Sequence, residues 1–167
     1  FVNYLKKNTD IGFKFFKERS EYLRDLGIPL NTDSTLKGQT MFLAERVSEL
    51  FNPRFVTDRS IIDVIAFTRL AKSIRPSEKD DFEALASNLI RDYDIIFYVP
   101  PTGIKVEDNG VRETNADYRR IKDEEIQKLL IKYSDKNKIL GSLEGSNEER
   151  YASFMDEYND LMEGYQY

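Results

Sequence analysis

The chain has no cysteine and no histidine among its 167 residues. Without cysteine there is neither a disulfide framework nor a thiolate site, which is compatible with a reducing compartment. Without histidine, a Ser/His/Asp triad and imidazole-based zinc sites are excluded. Any chemistry must therefore come from carboxylates, lysine, arginine, tyrosine and hydroxyl groups.

Long hydrophobic runs are also lacking. None approaches the roughly 18 to 20 residues of a membrane-spanning helix, and no signal-peptide pattern opens the sequence. We therefore expect no membrane partner and a cytoplasmic protein. The net charge of -5 argues against a general basic surface that would hold nucleic acid, so we expect no nucleic-acid partner.

The composition suits one globular domain over residues 1–167, because 40% of the residues are hydrophobic and can fill a core. Strands are predicted at 13–17, 54–58, 94–99 and 138–143. Helical patterns separate them, at 1–8, 36–51 and 61–73, after a Ser77 cap, from Ile121 to Tyr133, and after a Ser146–Glu149 capping box. This alternation predicts an α/β fold with a mainly parallel sheet flanked by helices, whose carboxyl strand ends hold the ligand.

Charged residues follow the first two predicted strands. Glu18 and Arg19 end the first, and Asp58, Arg59 and Ser60 follow the second. In phosphoryl transfer, such an aspartate organises magnesium through water while the arginine neutralises the transferred group. The alternative is an ordinary solvent-facing strand end with a helix cap, and the sequence leaves both open.

Residues 100–120 predict a long exposed loop. It holds two prolines and two glycines, followed by Arg112, Arg119 and Arg120. A loop of this length is commonly a lid, and arginines in a lid can close over phosphates. A solvated loop of mixed charge is the alternative.

Taken in order, these segments resemble the ribosylnicotinamide-kinase-like and deoxynucleoside-kinase-like branch of the P-loop kinases, which includes AAA-type ATP-binding domains. Glu18 and Arg19 look like the end of the family's second strand, and 58–63 (DRSIID) looks like its acid-Arg-Ser motif and following helix. Residues 94–101 (DIIFYVPP) resemble the strand before the lid. Residues 138–150 (KILGSLEGSNEER) resemble the last strand and the adenine-side loop.

The resemblance implies a three-layer P-loop NTPase-like fold that transfers the γ-phosphoryl group of ATP, with Mg²⁺, to a small nucleoside or nucleotide. Glu18 is then expected to orient or deprotonate the acceptor hydroxyl, and Asp58 to organise magnesium. Arg59, Arg112 and Arg119 are expected to balance charge on the transferred group.

Further contacts follow from the same resemblance. Arg19, Gln39 and Asp63 are expected on the acceptor, and Ser146 and Arg150 near the adenine. Gln39 is also explained as a helix-surface amide, and Ser146 as a helix cap.

The sequence departs from the family by lacking the phosphate-binding pattern G-x-x-x-x-G-K-[ST]. We expect a preceding segment of roughly 15 residues to supply that loop and the strand before it. Two other functions remain open: a nucleotide-binding regulatory or interaction module without efficient transfer, and a 5′ polynucleotide kinase. A homodimer is also left open.

Overall fold

The computed structural model describes residues 1–101, 116–135 and 138–165. Its helices are α1 Val2–Asn8, α2 Ser20–Asp25, α3 Leu36–Glu49, α4 Ile61–Leu70, α5 Pro76–Ser87, α6 Ala116–Lys132 and α7 Asn147–Gly164. Its strands are β1 Lys14–Phe16, β2 Phe55–Thr57, β3 Ile95–Tyr98 and β4 Lys138–Ser142. The four strand predictions are confirmed to within one residue at each end.

The strands form two parallel pairs. β1 pairs with β2, with Phe15 opposite Val56, and β3 pairs with β4, with Ile95 opposite Lys138. The prediction of a mixed α/β class with parallel strands is confirmed. A single continuous sheet is not observed in the described ranges, because β2 and β3 are not hydrogen-bonded to each other and a cavity lies between them.

Helix α4 is the centre of the hydrophobic core. Ile61, Ile65 and Ala66 are completely buried, and α3, α5 and α6 all pack against this helix. The helix begins where the sequence favours a cap: the Ser60 hydroxyl accepts a hydrogen bond from the Ile62 amide, and Asp63 accepts one from the Ser60 amide. The position at which β2 passes into α4 is therefore locally encoded.

Helices lie against both faces of β3. Neighbouring strand residues point to opposite faces, and Ile96 joins the core around α4. The ring of Phe97 instead packs against that of Phe154 in α7, with 5.4 Å between centroids. Phe154 also contacts the ring of Phe1, which brings the start of α1 to the same face.

Three predicted boundaries are wrong. Helix α4 ends at Leu70 rather than at Ser73, because the backbone of Ala71 is extended. Helix α6 begins at Ala116, so Arg119 and Arg120 lie on a helix rather than in the predicted loop; residues 102–115, with Arg112, lie outside the described residues. Helix α5 begins at Pro76 with Arg75 as its cap residue, not at Ser77, because proline is favoured at the first helical position.

Helix α2 was not predicted. It is short, and the Glu18 carboxylate accepts a hydrogen bond from the Ser20 amide at 2.6 Å at its start. Within the ranges that the structure describes, no helix has the length and apolar character needed to cross a membrane.

Candidate functional site

A cavity of about 1080 Å³ separates β2 from β3. Every residue of both strands lines it, as do the residues flanking both ends of each strand, 52–54 and 58–60 for β2 and 92–94 and 99–101 for β3. The cavity therefore runs the whole length of two strand edges. It is large enough for a cofactor-sized ligand, since such sites usually have volumes of roughly 300–1,000 Å³.

The turn after β2 places Asp58 and Arg59 at this cavity. Arg59 has a φ of 83°, a left-handed conformation that is uncommon for a residue with a side chain. Asp58 is exposed, and its amide donates to the Phe16 carbonyl, which ties the turn to the end of β1. The turn thus holds a strained residue between a strand ladder and a helix cap.

Arg46 in α3 fixes the same turn from the other side. One of its guanidinium nitrogens lies 3.1 Å from the Thr57 hydroxyl, 3.1 Å from the Asp58 carbonyl and 3.4 Å from the Arg59 carbonyl. The other pairs with Glu49 at 2.9 Å, and both side chains are buried. Burial raises the pKa of the Glu49 carboxyl, against the opposing effect of the Arg46 charge. Arg46 therefore holds the backbone of the turn and is not available to a ligand in the cavity.

Four arginines that line the cavity have no carboxylate partner among the described residues, and three of them, unlike the exposed Arg54, are half-buried. Arg59 comes from the β2–α4 turn, Arg119 from α6 and Arg150 from α7. The Nε atoms of Arg119 and Arg150 are buried and make no hydrogen bond to any described residue. Buried donors without partners are rare because their desolvation is uncompensated, so these groups indicate a site for an anionic ligand.

The ring of Phe67 in α4 contacts two positively charged side chains. The guanidinium carbon of Arg59 and the Lys122 ammonium each lie 5.4 Å from the ring centroid. Cation–π contact orients a positive group without neutralising it. The Arg59 guanidinium therefore keeps its positive charge at the α4–α6 side of the cavity.

The α2–α3 side of the cavity has a different character. Glu18 lines it, and Arg19 is paired with Glu45 of α3 at 2.9 Å. Gln39, only 3% exposed, also lines the cavity, and no hydrogen bond joins its side-chain amide to another described residue. Sequence reasoning favoured a helix-surface amide for Gln39, whereas the residue is buried against the cavity.

The structure thus brings most of the predicted site residues to one cavity: Glu18, Arg19, Gln39, Asp58, Arg59, Asp63, Arg119 and Arg150. Asp63 serves in the α4 capping box as well. Ser146 is the exception, since it is exposed, caps α7 and is absent from the cavity lining. Arg112 lies outside the described residues.

Sequence reasoning missed several residues at the site. Arg46 and Glu45 lie in the middle of α3, where charged residues ordinarily face solvent. Tyr98 of β3 donates to Asp123 of α6 at 2.7 Å, and burial together with this carboxylate raises the pKa of Tyr98 to about 12. No local pattern marks these residues, because each acts through a partner that is distant in sequence.

Asp58 is the cavity carboxylate that was predicted to organise magnesium. Among the described residues no group of three potential metal ligands occurs. Mg²⁺, however, usually binds through one or two carboxylates together with substrate phosphates and water. Asp58, exposed at the cavity and beside Arg59, meets that requirement.

Comparison with known proteins found no relative of this chain. No protein-family model matches the chain, and neither a curated protein nor a solved structure matches it significantly. What the site does must therefore be argued from its own geometry.

Proposed function

We propose that this protein transfers the γ-phosphoryl group of ATP to a nucleoside or nucleotide. The observation that carries the proposal is a set of three half-buried arginines without carboxylate partners among the described residues, Arg59, Arg119 and Arg150, which line one cavity together with Asp58. Guanidinium groups bind phosphate oxygens with two parallel hydrogen bonds, and phosphoryl transfer depends on neutralising and positioning such oxygens.

In the proposed reaction an acceptor hydroxyl attacks the γ-phosphorus. A new oxygen–phosphorus bond forms, the bond from the γ-phosphorus to the bridging oxygen breaks, and ADP leaves. Glu18, half-buried at the cavity, takes the proton of the acceptor hydroxyl. Arg59 and Arg119 neutralise charge on the transferred group, with Arg150 on the donor nucleotide.

Magnesium is part of this proposal. Asp58 would hold it, and the ion would neutralise charge on the phosphate oxygens. Gln39 would contact the acceptor through its buried amide.

The proposed fold is the three-layer P-loop type, with one further strand between β2 and β3. Two features support it: each strand has an edge that pairs with no other strand among the described residues and faces the cavity, and helices pack on both faces of β3. We propose that a segment preceding Phe1 supplies this strand and the phosphate-binding loop. Phe1 itself lines the cavity, so a preceding segment could enter the gap directly.

The test is phosphoryl transfer by the full-length protein with ATP and magnesium, using nucleosides, nucleoside monophosphates and ribosylnicotinamide as acceptors. We expect turnover with at least one acceptor. In Asp58→Asn, turnover should fall by about 100-fold or more, because charge stabilisation worth several kcal/mol is lost. Unfolding in urea should be unchanged, since the Asp58 side chain is exposed.

Asp81→Asn is the matched control, because it removes an exposed carboxylate from α5 outside the cavity. It should leave turnover intact. Binding of ATP without turnover would favour a regulatory module instead. If the protein showed no ATP binding and no turnover, the proposal would be overturned.

A further inference from the structure

The cavity is divided by charge. Its α6–α7 side carries Arg119 and Arg150, whose Nε atoms are buried without a partner among the described residues. Its α2–α3 side carries three carboxylates, Glu18, Glu21 and Glu45, and two arginines, Arg19 and the Arg46 that is paired with Glu49. A phosphorylated ligand and an uncharged ligand would therefore prefer opposite sides.

On the α2–α3 side, an ion pair neutralises Arg19. Its guanidinium lies 2.9 Å from a Glu45 carboxylate oxygen, and the Glu45 side chain is only 21% exposed. The same guanidinium lies over the ring of Tyr22, with its carbon atom 4.9 Å from the ring centroid. With Glu18 next to it in the chain, this side has an excess of negative charge among the residues that the structure describes.

We propose that this side accepts an unphosphorylated nucleoside, and that the Arg19–Glu45 ion pair excludes nucleoside monophosphates. The inference rests on the proposed function and narrows its acceptor from nucleoside or nucleotide to nucleoside. The phosphate of a monophosphate carries roughly two negative charges and would lie close to Glu18 and Glu45. Repulsion between these like charges would disfavour binding of the monophosphate. A nucleoside brings hydroxyl groups and a base with polar edges, which the carboxylates and the buried Gln39 amide can bind without charge repulsion.

The experiment compares each nucleoside with its own 5′-monophosphate as acceptor for the full-length protein, with ATP and magnesium. The quantity measured is the ratio of kcat/KM for the nucleoside to kcat/KM for the monophosphate. For the unmodified protein we expect a ratio of at least about 10, which is the effect of a single strong interaction between charged groups.

Two variants break the same ion pair and should not shift this ratio in the same direction. Glu45→Gln releases Arg19 and removes a repelling charge, so the ratio should fall by about tenfold. Arg19→Gln leaves Glu45 unpaired, so the ratio should rise or stay at its original value. A ratio within one protein is insensitive to a general loss of active enzyme, so a partly unfolded variant still gives a valid result.

Glu124→Gln is the matched control. It also breaks an arginine–glutamate pair, with Arg120, but this pair is exposed on α6 and does not line the cavity. The ratio should not change. A preference of the unmodified protein for monophosphates would overturn this inference while leaving phosphoryl transfer in place, and so would a shift of both ion-pair variants in one direction. Absence of transfer to every acceptor would overturn the proposed function as well.

Discussion

Arg59 combines a strained backbone with a side chain that the site requires. Its φ of 83° would suit glycine, and three neighbouring contacts hold the turn: the Arg46 guanidinium, the Phe16 carbonyl and the Ser60 cap. Strain of this kind costs on the order of 1–3 kcal/mol and persists where the surroundings enforce it. Strain also tends to occur at functional sites, which agrees with an Arg59 side chain directed at Phe67 beside the cavity.

Replacing Arg59 with glycine should separate these two properties. We expect Arg59→Gly to leave the free energy of unfolding unchanged or to raise it by up to about 1 kcal/mol, because glycine adopts this φ without strain. Affinity for ATP should nevertheless fall by about tenfold or more, since one charged donor is removed. Urea unfolding and calorimetric titration of the full-length protein measure the two effects.

Arg120→Ala is the control for lost positive charge, because Arg120 is exposed and outside the cavity. Its affinity for ATP should be nearly normal. If Arg59→Gly destabilised the protein by several kcal/mol, the turn would not be strained as argued. If it bound ATP normally, Arg59 would have no part in phosphate binding.

At the scale of elements, a second charged cluster joins three helices away from the cavity. Glu83 of α5 accepts hydrogen bonds from Arg69 of α4 at 2.7 and 2.8 Å, and from Lys132 at the end of α6 at 2.7 Å. Tyr133 donates to the same carboxylate at 2.5 Å. Burial alone would raise the pKa of Glu83, but these donors outweigh it and lower the pKa to about 2.

This pKa predicts a definite dependence of stability on pH. The folded-state pKa of about 2 lies below the ordinary value of 4.5, so the stabilisation is fully present above pH 4.5 and is lost as the pH falls toward 2. From the difference between these two pKa values, the stabilisation amounts to about 3 kcal/mol at neutral pH. Glu83→Gln should therefore lower the free energy of unfolding by about this amount at pH 7 and by less than half of it near pH 3.

Urea unfolding of both proteins from pH 7 to pH 3 checks this prediction. Lys128 forms an exposed ion pair with Glu125 at 3.5 Å, so Lys128→Gln serves as a comparison that should cost less than about 1 kcal/mol at any pH. A constant deficit of Glu83→Gln across the pH range would show that its charge does not stabilise the fold.

The elements that sequence could predict are those defined by neighbours in the chain. Strand boundaries follow from short apolar runs, and the Ser60 and Ser146 caps lie next to the helices that they begin. Arg46 and the Glu83 cluster could not be predicted, because the partners that define their roles lie 11 to 50 residues away. The one local pair, Arg46 with Glu49 three residues later, has the spacing of an ordinary surface pair on a helix. Gln39 was singled out only through a family resemblance, since a glutamine on a helix is ordinarily a surface residue.

At the scale of the whole molecule, the gap between β2 and β3 is the feature that most needs an explanation. Unpaired strand edges expose backbone donors and acceptors, and proteins generally pair or cover them. Aromatic contacts connect the two strand pairs at one end, where the rings of Phe55 and Tyr93 lie 6.1 Å apart. Along the remaining length the two edges face a cavity.

Hydrogen exchange tests whether a further strand fills this gap. The Lys14 amide donates to the Arg54 carbonyl and the Asp58 amide to the Phe16 carbonyl, so in a parallel ladder the amides of Phe55 and Thr57 point away from β1 toward the gap. If the strand proposed to precede Phe1 is present, we expect these two amides to exchange as slowly as that of Asp58. In a chain of residues 1–167 they should exchange much faster, while Asp58 stays protected by β1. Fast exchange of Phe55 and Thr57 in the full-length protein would mean that no strand occupies the gap, and the P-loop proposal would lose its structural support.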